Sequence, residues 1–378
     1  MINSIKNLRK ELHKNPELSG QETETAKRIR RFIELHHPTR IIDNIGGNGL
    51  AAVYDFPDQG PNIAIRCELD ALPIIEENQF DHKSQNQGIS HKCGHDGHMA
   101  IVSGLIFWIK EQSFQTGKII LLFQPSEENG KGAEKVLNDQ KFRDLDIDYI
   151  FALHNIPKEP MNSIITMESG FSAEVISFIV RLKGKESHAA EPENGINPSL
   201  GVSEIINALS KLNIDNPLDE NFAVLTPVHF TMGQKSYGIS PANAELHYTI
   251  RTWGTEQMNM LKTNITNAIE YVSKNHRLTF EMEWLEYFPA SKNHEVCNRY
   301  IKNAALKNNF TLKERQYPFK FGEDFGWFTK SYKCAMFGLG SGIHTPALHN
   351  ANYDFPDEII EPGMDMFKGI IELIMTKN

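Results

Sequence analysis

The chain reads KIILLFQPSEE over residues 118–128. A run of five apolar residues is followed at once by polar side chains that end in two adjacent glutamates. A continuous apolar run of this length, closed by a proline, is typical of a strand that is buried on both faces of a sheet. The stretch therefore predicts an α/β sheet with polar groups gathered at the end of a strand.

Two further apolar runs end in the same way. Residues 62–69 lead into Asp70, and residues 149–153 lead into His154. A helical pattern at residues 99–110 separates the first of these runs from the glutamate strand, which is the βα alternation of a sheet with helices on both faces. Ligand sites in such sheets lie beyond the carboxyl ends of the strands, so we expect these polar side chains to meet there.

The pattern changes after Gly170, where strand-like and helical runs predict a small α+β domain similar to the ferredoxin-like arrangement. The α/β pattern returns near Pro289 and closes with a helix at residues 356–377. We therefore predict an α/β protein with a central mixed sheet, helices on both of its faces and an inserted α+β domain. The larger domain should comprise residues 1–171 and 288–378, and the insertion residues 172–287.

Composition narrows the class of protein. The chain has 39 Lys and Arg against 48 Asp and Glu, a net charge of −9, and no basic stripe for nucleic acid. No stretch nears the ~20 apolar residues that a membrane span needs, and the first residues lack the pattern of a signal peptide. We expect a cytoplasmic protein. Its cysteines are few and far apart, so we expect reduced thiols: Cys67, Cys93, Cys297 and Cys334.

A second stretch, HKCGHDGH over residues 91–98, concentrates possible metal ligands. Imidazole nitrogen, thiolate sulfur and carboxylate oxygen are the donors that borderline divalent ions prefer. The two glycines allow closely spaced side chains to turn toward one ion. The stretch indicates a metal site, although a Cys/His-rich surface loop has the same spacing.

Other candidate residues are ambiguous when taken singly. Adjacent side chains on an extended chain point to opposite sides, so of Glu127 and Glu128 one can bind a metal while the other acts as a base. The alternative for this pair is a solvated turn. His154 and His349 are equally typical of hydrogen-bonded core histidines, and His188 of a histidine in a surface loop.

The order of the motifs resembles the M20 metallopeptidase family, in its amidohydrolase branch of hippurate hydrolases, N-acyl-amino-acid amidohydrolases and auxin-conjugate hydrolases. The resemblance covers essentially the whole chain. It is carried by the stretches LRKELHKNPEL (8–18), ELDALPI (68–74), CGHDGH (93–98), QPSEE (124–128), ALH (152–154), SHAA (187–190), GEDF (322–325) and LH (348–349).

The resemblance implies two divalent ions per chain, with zinc, manganese, nickel or cobalt as candidates. Glu127 would be the general base, taking a proton from the attacking water and passing it to the leaving nitrogen. Asp70 and Asp96 would accept the ring N–H of a ligand histidine, although Asp96 could instead cap the helix that follows. The implied metal ligands are Cys93, His95, Glu128, His154 and His349.

For the inserted domain, the resemblance implies a lid and a dimerisation surface. His188 would donate a hydrogen bond to the oxyanion of the reaction, and in relatives this histidine can come from the partner of a homodimer. The chain departs from the family at Glu193, where histidine is common, and at residues 238–242, which read GISPA instead of NVIPD. Arg251 is a candidate for pairing with a substrate carboxylate, or an ordinary surface arginine.

The predicted function is therefore a metal-dependent amidohydrolase acting on N-acyl amino acids or small peptide-like conjugates. Two alternatives remain at this level. Cys93 could act as a nucleophile with His95 or His98 as its base, without metal. The chain could also be a catalytically silent protein that keeps the fold and the metal, an alternative that the intact Glu127 disfavours.

Overall fold

The structure is a computed structural model that describes residues 1–376, in two compact units. The larger unit comprises Met1–Phe171, Ser291–Gln316 and the described chain from Glu323 onward. The smaller unit comprises Ser172–Ala290 and Tyr317–Gly322. Residues 288–290 and 317–322 thus group with the insertion instead of the larger domain, because backbone bridging and ring stacking join 317–322 to the insertion.

The strands are β1 (Arg40–Ile45), β2 (Gly49–Asp55), β3 (Asp58–Glu68), β4 (Thr116–Gln124), β5 (Tyr149–Ile156), β6 (Ile164–Thr166), β7 (Glu174–Lys183), β8 (Ser187–His188), β9 (Ala223–Met232), β10 (Ile239–Ser240), β11 (Asn243–Thr252), β12 (Thr279–Phe288), β13 (Leu312–Glu314) and β14 (Lys333–Gly340). The α-helices are α1 (Ile2–Lys14), α2 (Thr23–Glu34), α3 (His95–Ile109), α4 (Gly132–Asn138), α5 (Gln140–Arg143), α6 (Ser199–Ser210), α7 (Thr255–Asn275), α8 (Glu295–Lys307), α9 (Gly326–Thr329) and α10 (Ile360–Met375).

The larger unit contains an eight-stranded sheet in the order β1-β2-β4-β3-β5-β14-β6-β13. β3 is parallel to β4 and β5, and β14 is parallel to β5, whereas β2 is antiparallel to both β1 and β4. The predicted mixed sheet is therefore confirmed. The carboxyl ends of β3, β4 and β5 lie at one edge, which is where the polar residues follow.

Both faces of this sheet are covered, as the apolar run in β4 predicts. Ile119, Leu121 and Phe123 belong to the core cluster that also contains side chains of α1, α3, α8 and α10. Ile120 and Leu122 point to the opposite face and are also fully buried. The closing helix, predicted at residues 356–377, is α10 preceded by a 3₁₀ turn (Asp357–Ile359), and residue 377 lies outside the described residues.

The smaller unit has the ferredoxin-like order β7-α6-β9-β11-α7-β12, folded into an antiparallel sheet with the spatial order β12-β7-β11-β9. Leu246, Tyr248 and Ile250 alternate along β11 and pack with α6 and α7 in a separate core. β9 forms one edge of this sheet, and most of its residues are exposed. Among the described residues, no helix is both long enough and apolar enough to cross a bilayer.

Candidate metal centre

The five predicted ligands lie together in the larger unit, four of them close to the end of a strand or helix. Cys93 comes just before α3, His95 is the first residue of α3, Glu128 follows β4 and His154 lies on β5. His349 lies in a loop, with a left-handed backbone φ of 65°. Strand ends, the start of one helix and one loop therefore build the centre.

Gly94 allows two ligands to come from adjacent positions. Its φ is 94°, in the left-handed region where glycine has no steric penalty. A Cβ at this position would lie 2.8 Å from the side-chain amide of Asn155. The tight turn at Gly94 starts α3 at His95, ahead of the predicted start at residue 99, and it brings the side chains of Cys93 and His95 to the same place.

The ligand atoms form overlapping groups. Donor atoms of Cys93, His95 and His154 lie within 4.8 Å of one another, and so do donor atoms of Cys93, Glu128 and His349. Cys93 Sγ is 3.5 Å from His154 Nε2, and His349 Nε2 is 3.9 Å from Glu128 Oε2. Two three-residue groups that share Cys93 are the arrangement expected for two ions with a bridging ligand.

Polar atoms without partners support a metal site at this position. His95 Nε2 and Glu128 Oε1 are buried, have no hydrogen-bond partner in the described structure and lie 3.8 Å apart. A buried polar atom that makes no bond costs about 1–3 kcal/mol, so atoms of this kind call for a ligand. The nitrogen, sulfur and oxygen donors present are those that zinc and related divalent ions bind. The residues therefore fit such ions.

The electrostatics of the centre also favour a cation. Burial raises the pKa of Glu127 well above its usual range, and the carboxylates of Glu323 and Glu128 raise it further. Burial likewise raises the pKa of Glu128 to about 7, although His95 opposes this effect. The pKa of the Cys93 thiol is raised by burial and by Glu128. A bound cation would lower these raised pKa values, because it would stabilise the anionic forms of the three side chains.

The carboxylate of Glu127 lies beside the predicted ligand His95 and is held by a backbone N–H group on its other oxygen. Its Oε2 is 3.9 Å from His95 Nε2, and its Oε1 accepts a hydrogen bond from the backbone N–H of Asp324 at 3.2 Å. The preceding Ser126 has a left-handed φ of 58°, which turns the chain sharply after β4. The carboxylate of Glu127 therefore faces the predicted ion positions from a fixed backbone.

Asp70 lies against a ligand histidine. Its backbone carbonyl accepts a hydrogen bond from His95 Nδ1 at 2.9 Å, and its Oδ1 is 3.6 Å from the same nitrogen. Its Oδ2 accepts hydrogen bonds from Ser19 Oγ at 2.7 Å and from the backbone N–H of Glu128 at 2.9 Å. Asp70 thus orients His95 so that Nε2 faces the centre.

Asp96 differs from both predictions made for it. It accepts hydrogen bonds from His13 Nδ1 at 2.8 Å and from Arg9 at 3.3 Å, not from a ligand histidine. No side chain caps the start of α3, whose N-cap residue is Gly94. The reason is geometric: the first turn of α3 packs against α1, which supplies both partners of Asp96.

His98 is buried, with Nδ1 bonded to Glu68 Oε2 and Nε2 bonded to Asn155 Oδ1, both at 2.6 Å. Its Nε2 also lies 3.3 Å from the backbone N–H of Asn155. The motifs include Glu68 but give it no role, and they do not include the fully buried Arg66. The signal that could have found them is the sequence of β3 itself, where two charged residues interrupt an apolar run. A buried charge requires a specific partner.

His188 and Arg251 belong to the smaller unit. His188 is exposed on β8, which pairs with β10, and its Nδ1 accepts a hydrogen bond from the backbone N–H of Ala190. Arg251 is half-buried on β11 and donates a hydrogen bond to Lys320 O at 2.7 Å. Burial lowers the pKa of this guanidinium.

Comparison with known proteins shows the family to which this chain belongs. An N-acetyl-L-cysteine deacetylase of Bacillus subtilis is 34% identical over 85% of this chain and 76% of its own length. An N-acetyldiaminopimelate deacetylase of Priestia megaterium is 30% identical over 89% of this chain and 90% of its own length.

Among solved structures, a Bacillus subtilis protein described as a dinuclear metal binding peptidase from the M20 family superimposes with a TM-score of 0.84. It is 27% identical, and the superposition covers 100% of this chain and 99% of that one. The sequence pattern of peptidase family M20/M25/M40 matches residues 64–373. This chain is therefore a metallo-amidohydrolase of peptidase family M20/M25/M40.

Proposed function

We propose that the protein hydrolyses the amide bond of N-acyl amino acids with a small acyl group, and that Glu127 is the general base. Relatives that remove acetyl groups from N-acetylcysteine and N-acetyldiaminopimelate support this substrate class. The observation that carries the proposal is the position of the Glu127 carboxylate, 3.9 Å from the unpartnered Nε2 of His95.

Two ions would be held by Cys93 and Glu128 together with the three ligand histidines. When bound, such ions polarise the scissile carbonyl and make a water molecule more acidic. Glu127 takes a proton from the attacking water and delivers it to the departing nitrogen, which requires one carboxylate within reach of both. The backbone N–H of Asp324 holds that carboxylate in place during both transfers.

The reaction develops negative charge on the carbonyl oxygen, and His188 is our candidate donor to it. Its exposed position on β8 leaves its Nε2 available, because Nδ1 is the ring atom that bonds to Ala190. Arg251 is our candidate for the substrate carboxylate. Its half-buried guanidinium uses one N–H on Lys320 and retains other donors for a planar anion.

We also propose that the protein forms a homodimer through its smaller unit. β9 lies at a sheet edge, and its exposed side chains include Val228, Phe230 and Met232. An exposed edge strand with apolar side chains is a surface that pairs readily with another strand. The β9 edge of a second copy would pair with the free strand edge and would also cover the apolar side chains. The cytoplasm is the proposed compartment, which agrees with four cysteines that all remain free thiols.

The alternative with Cys93 as a nucleophile is weaker on chemical grounds. Burial and the nearby Glu128 raise the pKa of the Cys93 thiol, whereas a nucleophilic cysteine needs an environment that lowers it. Its Sγ is also 3.5 Å from His154 Nε2, in the group of possible ligands.

The experiment is elemental analysis of the purified protein, followed by assays of acetyl-, benzoyl- and dipeptide substrates with Zn²⁺, Mn²⁺, Co²⁺ or Ni²⁺ added back. We expect two ions per chain and fastest turnover of the acetyl compounds. A chelator should abolish the activity. Activity that survives complete metal removal, or two bound ions with no substrate in the panel hydrolysed, would refute the proposal.

A further inference from the structure

Arg66 is a fully buried arginine near the carboxyl end of β3, a strand inside the central sheet. It lies on β3, next to the apolar residues that form this strand, and its side chain has no exposed surface. Its Nε donates a hydrogen bond to Gln124 Oε1 at 2.8 Å, and one terminal nitrogen donates to Asp324 Oδ1 at 2.8 Å. The other terminal nitrogen bonds to Glu68. Every branch of the guanidinium therefore has its own partner.

A buried arrangement of this kind is weak evidence for a role in stability. Buried ion pairs cost desolvation energy, and well-packed apolar residues of similar size are often as stable or more stable. In this site, the carboxyl groups of Glu68, Glu323 and Asp324 surround one arginine, so three acidic groups are buried against a single cation. A costly cluster next to the candidate metal centre suggests a role in the reaction.

The first branch of the cluster leads to the general base. Asp324 is fixed by Arg66, by Gln124 Nε2, which bonds both of its carboxylate oxygens at 2.8 Å, and by the backbone N–H of Ala133 at 2.8 Å. With its side chain fixed in this way, its own backbone N–H is aimed at Glu127 Oε1, at 3.2 Å. Arg66 is thus two contacts away from the reacting carboxylate.

The second branch passes beside His95 and leads to the end of β5. Glu68 bonds His98 Nδ1, and His98 Nε2 bonds the side chain of Asn155, which follows the ligand His154. This branch holds the end of β5 in place. Among the described residues, none of its members hydrogen-bonds Glu127, so the two branches can be separated by experiment.

We propose that Arg66 is a positioning residue whose planar fork holds Asp324 so that the Asp324 backbone N–H fixes the carboxylate of Glu127. This inference rests on the proposed role of Glu127 as the general base. A general base must be held within hydrogen-bond distance of the proton that it takes. A misplacement of about 1 Å can cost about 100-fold in rate.

The test compares Arg66→Lys with Asp324→Asn in the metal-loaded enzyme. Lysine keeps the positive charge, but a single ammonium cannot bond Gln124, Glu68 and Asp324 with the geometry of the fork. Asparagine keeps the backbone N–H but weakens the bond to Arg66. We expect each variant to lose about 100-fold in kcat, with KM and metal content unchanged. The double variant should lose little more than either single variant, because both act through Glu127.

Asn62→Ala is the matched control. Asn62 lies on β3 four residues before Arg66 and is buried, and its side chain donates a hydrogen bond to Asp146 O. Loss of this hydrogen bond in Asn62→Ala should lower the melting temperature and leave kcat unchanged. The inference is overturned if Arg66→Lys keeps kcat within twofold, if the loss appears in KM or in metal content, or if the losses of the two single variants multiply.

The inference and the proposed function fail in different ways. If the wild-type enzyme hydrolyses no N-acyl amino acid, or if Glu127→Gln is as active as the wild type, then the proposed function is wrong. If the wild type is active, Glu127→Gln is inactive and the Arg66 variants keep full kcat, then only the positioning role of Arg66 is wrong.

Discussion

His13 Nδ1 lies 2.8 Å from Asp96 Oδ2, and both side chains are completely buried. His13 is on α1, and Asp96 is in the first turn of α3, next to the predicted ligand His95. The other ring nitrogen of His13 bonds Glu76 Oε1 at 2.9 Å, in the long loop that leads to Cys93. One histidine therefore ties three segments together behind the metal centre.

This histidine should make stability depend on pH. Burial alone would lower the pKa of His13, but Asp96 and Glu76 raise it to about 9, above the value of ~6.5 expected in the unfolded chain. The stabilisation is therefore complete below about pH 6.5 and is lost as pH rises through 9. The contribution of His13 to the free energy of unfolding, measured with urea as the difference between the wild type and His13→Gln, should fall by about 3 kcal/mol over this window.

His13→Gln is the variant that checks this prediction, because glutamine does not titrate. It should be less stable at pH 6 and should show a much smaller fall between pH 6.5 and 9. His276→Gln, which replaces a histidine paired with Glu204 in the smaller unit, should keep the full fall of the wild type. Equal slopes in His13→Gln and the wild type would contradict the prediction.

The sequence proposes a ligand set that the structure brings together, but it does not predict the support around that set. Cys93, His95 and Glu128 stand in short, unusual motifs, so local pattern and family resemblance are sufficient to propose them. Arg66 and His13 are single charged residues within apolar or ordinary helical segments. Their partners are far away in the sequence, and only the tertiary structure brings them together.

The same distinction applies to the fold. The long buried strands β3, β4 and β5 follow from their continuous apolar runs, and the ferredoxin-like unit follows from its order of elements. The hairpin of β1 and β2 was not predicted, nor were the short strands β6 and β13. A strand of three residues, such as β13, has too little sequence for a period to be visible.

The roles of the two adjacent glutamates can be separated by matched substitutions. Glu127→Gln removes the proposed base but keeps the size of the side chain, and we expect kcat to fall by about 10²–10⁴-fold with metal content unchanged. Glu128→Gln removes a proposed ligand, and we expect it to lose metal and activity together. Elemental analysis and steady-state kinetics on both variants distinguish the roles. Metal loss in Glu127→Gln with metal retained in Glu128→Gln would reverse the assignment.

Metal removal should also lower stability. His95 Nε2 and Glu128 Oε1 are buried without a hydrogen-bond partner in the described structure, so binding of an ion to the folded state stabilises that state. We expect the melting temperature to fall after treatment with a chelator and to recover when Zn²⁺ or Mn²⁺ is added. The difference should shrink in His95→Ala and remain in His276→Ala, whose histidine lies in the smaller unit. A chelator that leaves the wild-type melting temperature unchanged would argue against an ion at this position.

The proposed dimer and the proposed role of His188 lead to a joint prediction. If His188 of one copy serves the metal centre of the other, then His188→Ala and Glu127→Gln should each be inactive alone and should regain activity when mixed and allowed to exchange subunits. Phe230→Lys places a charge on the exposed edge of β9 and should shift the protein toward monomer in analytical ultracentrifugation, with loss of activity. When His188→Ala and Glu127→Gln both also carry Phe230→Lys, mixing the two proteins should restore no activity. Full activity in a monomeric Phe230→Lys would show instead that each chain uses its own His188.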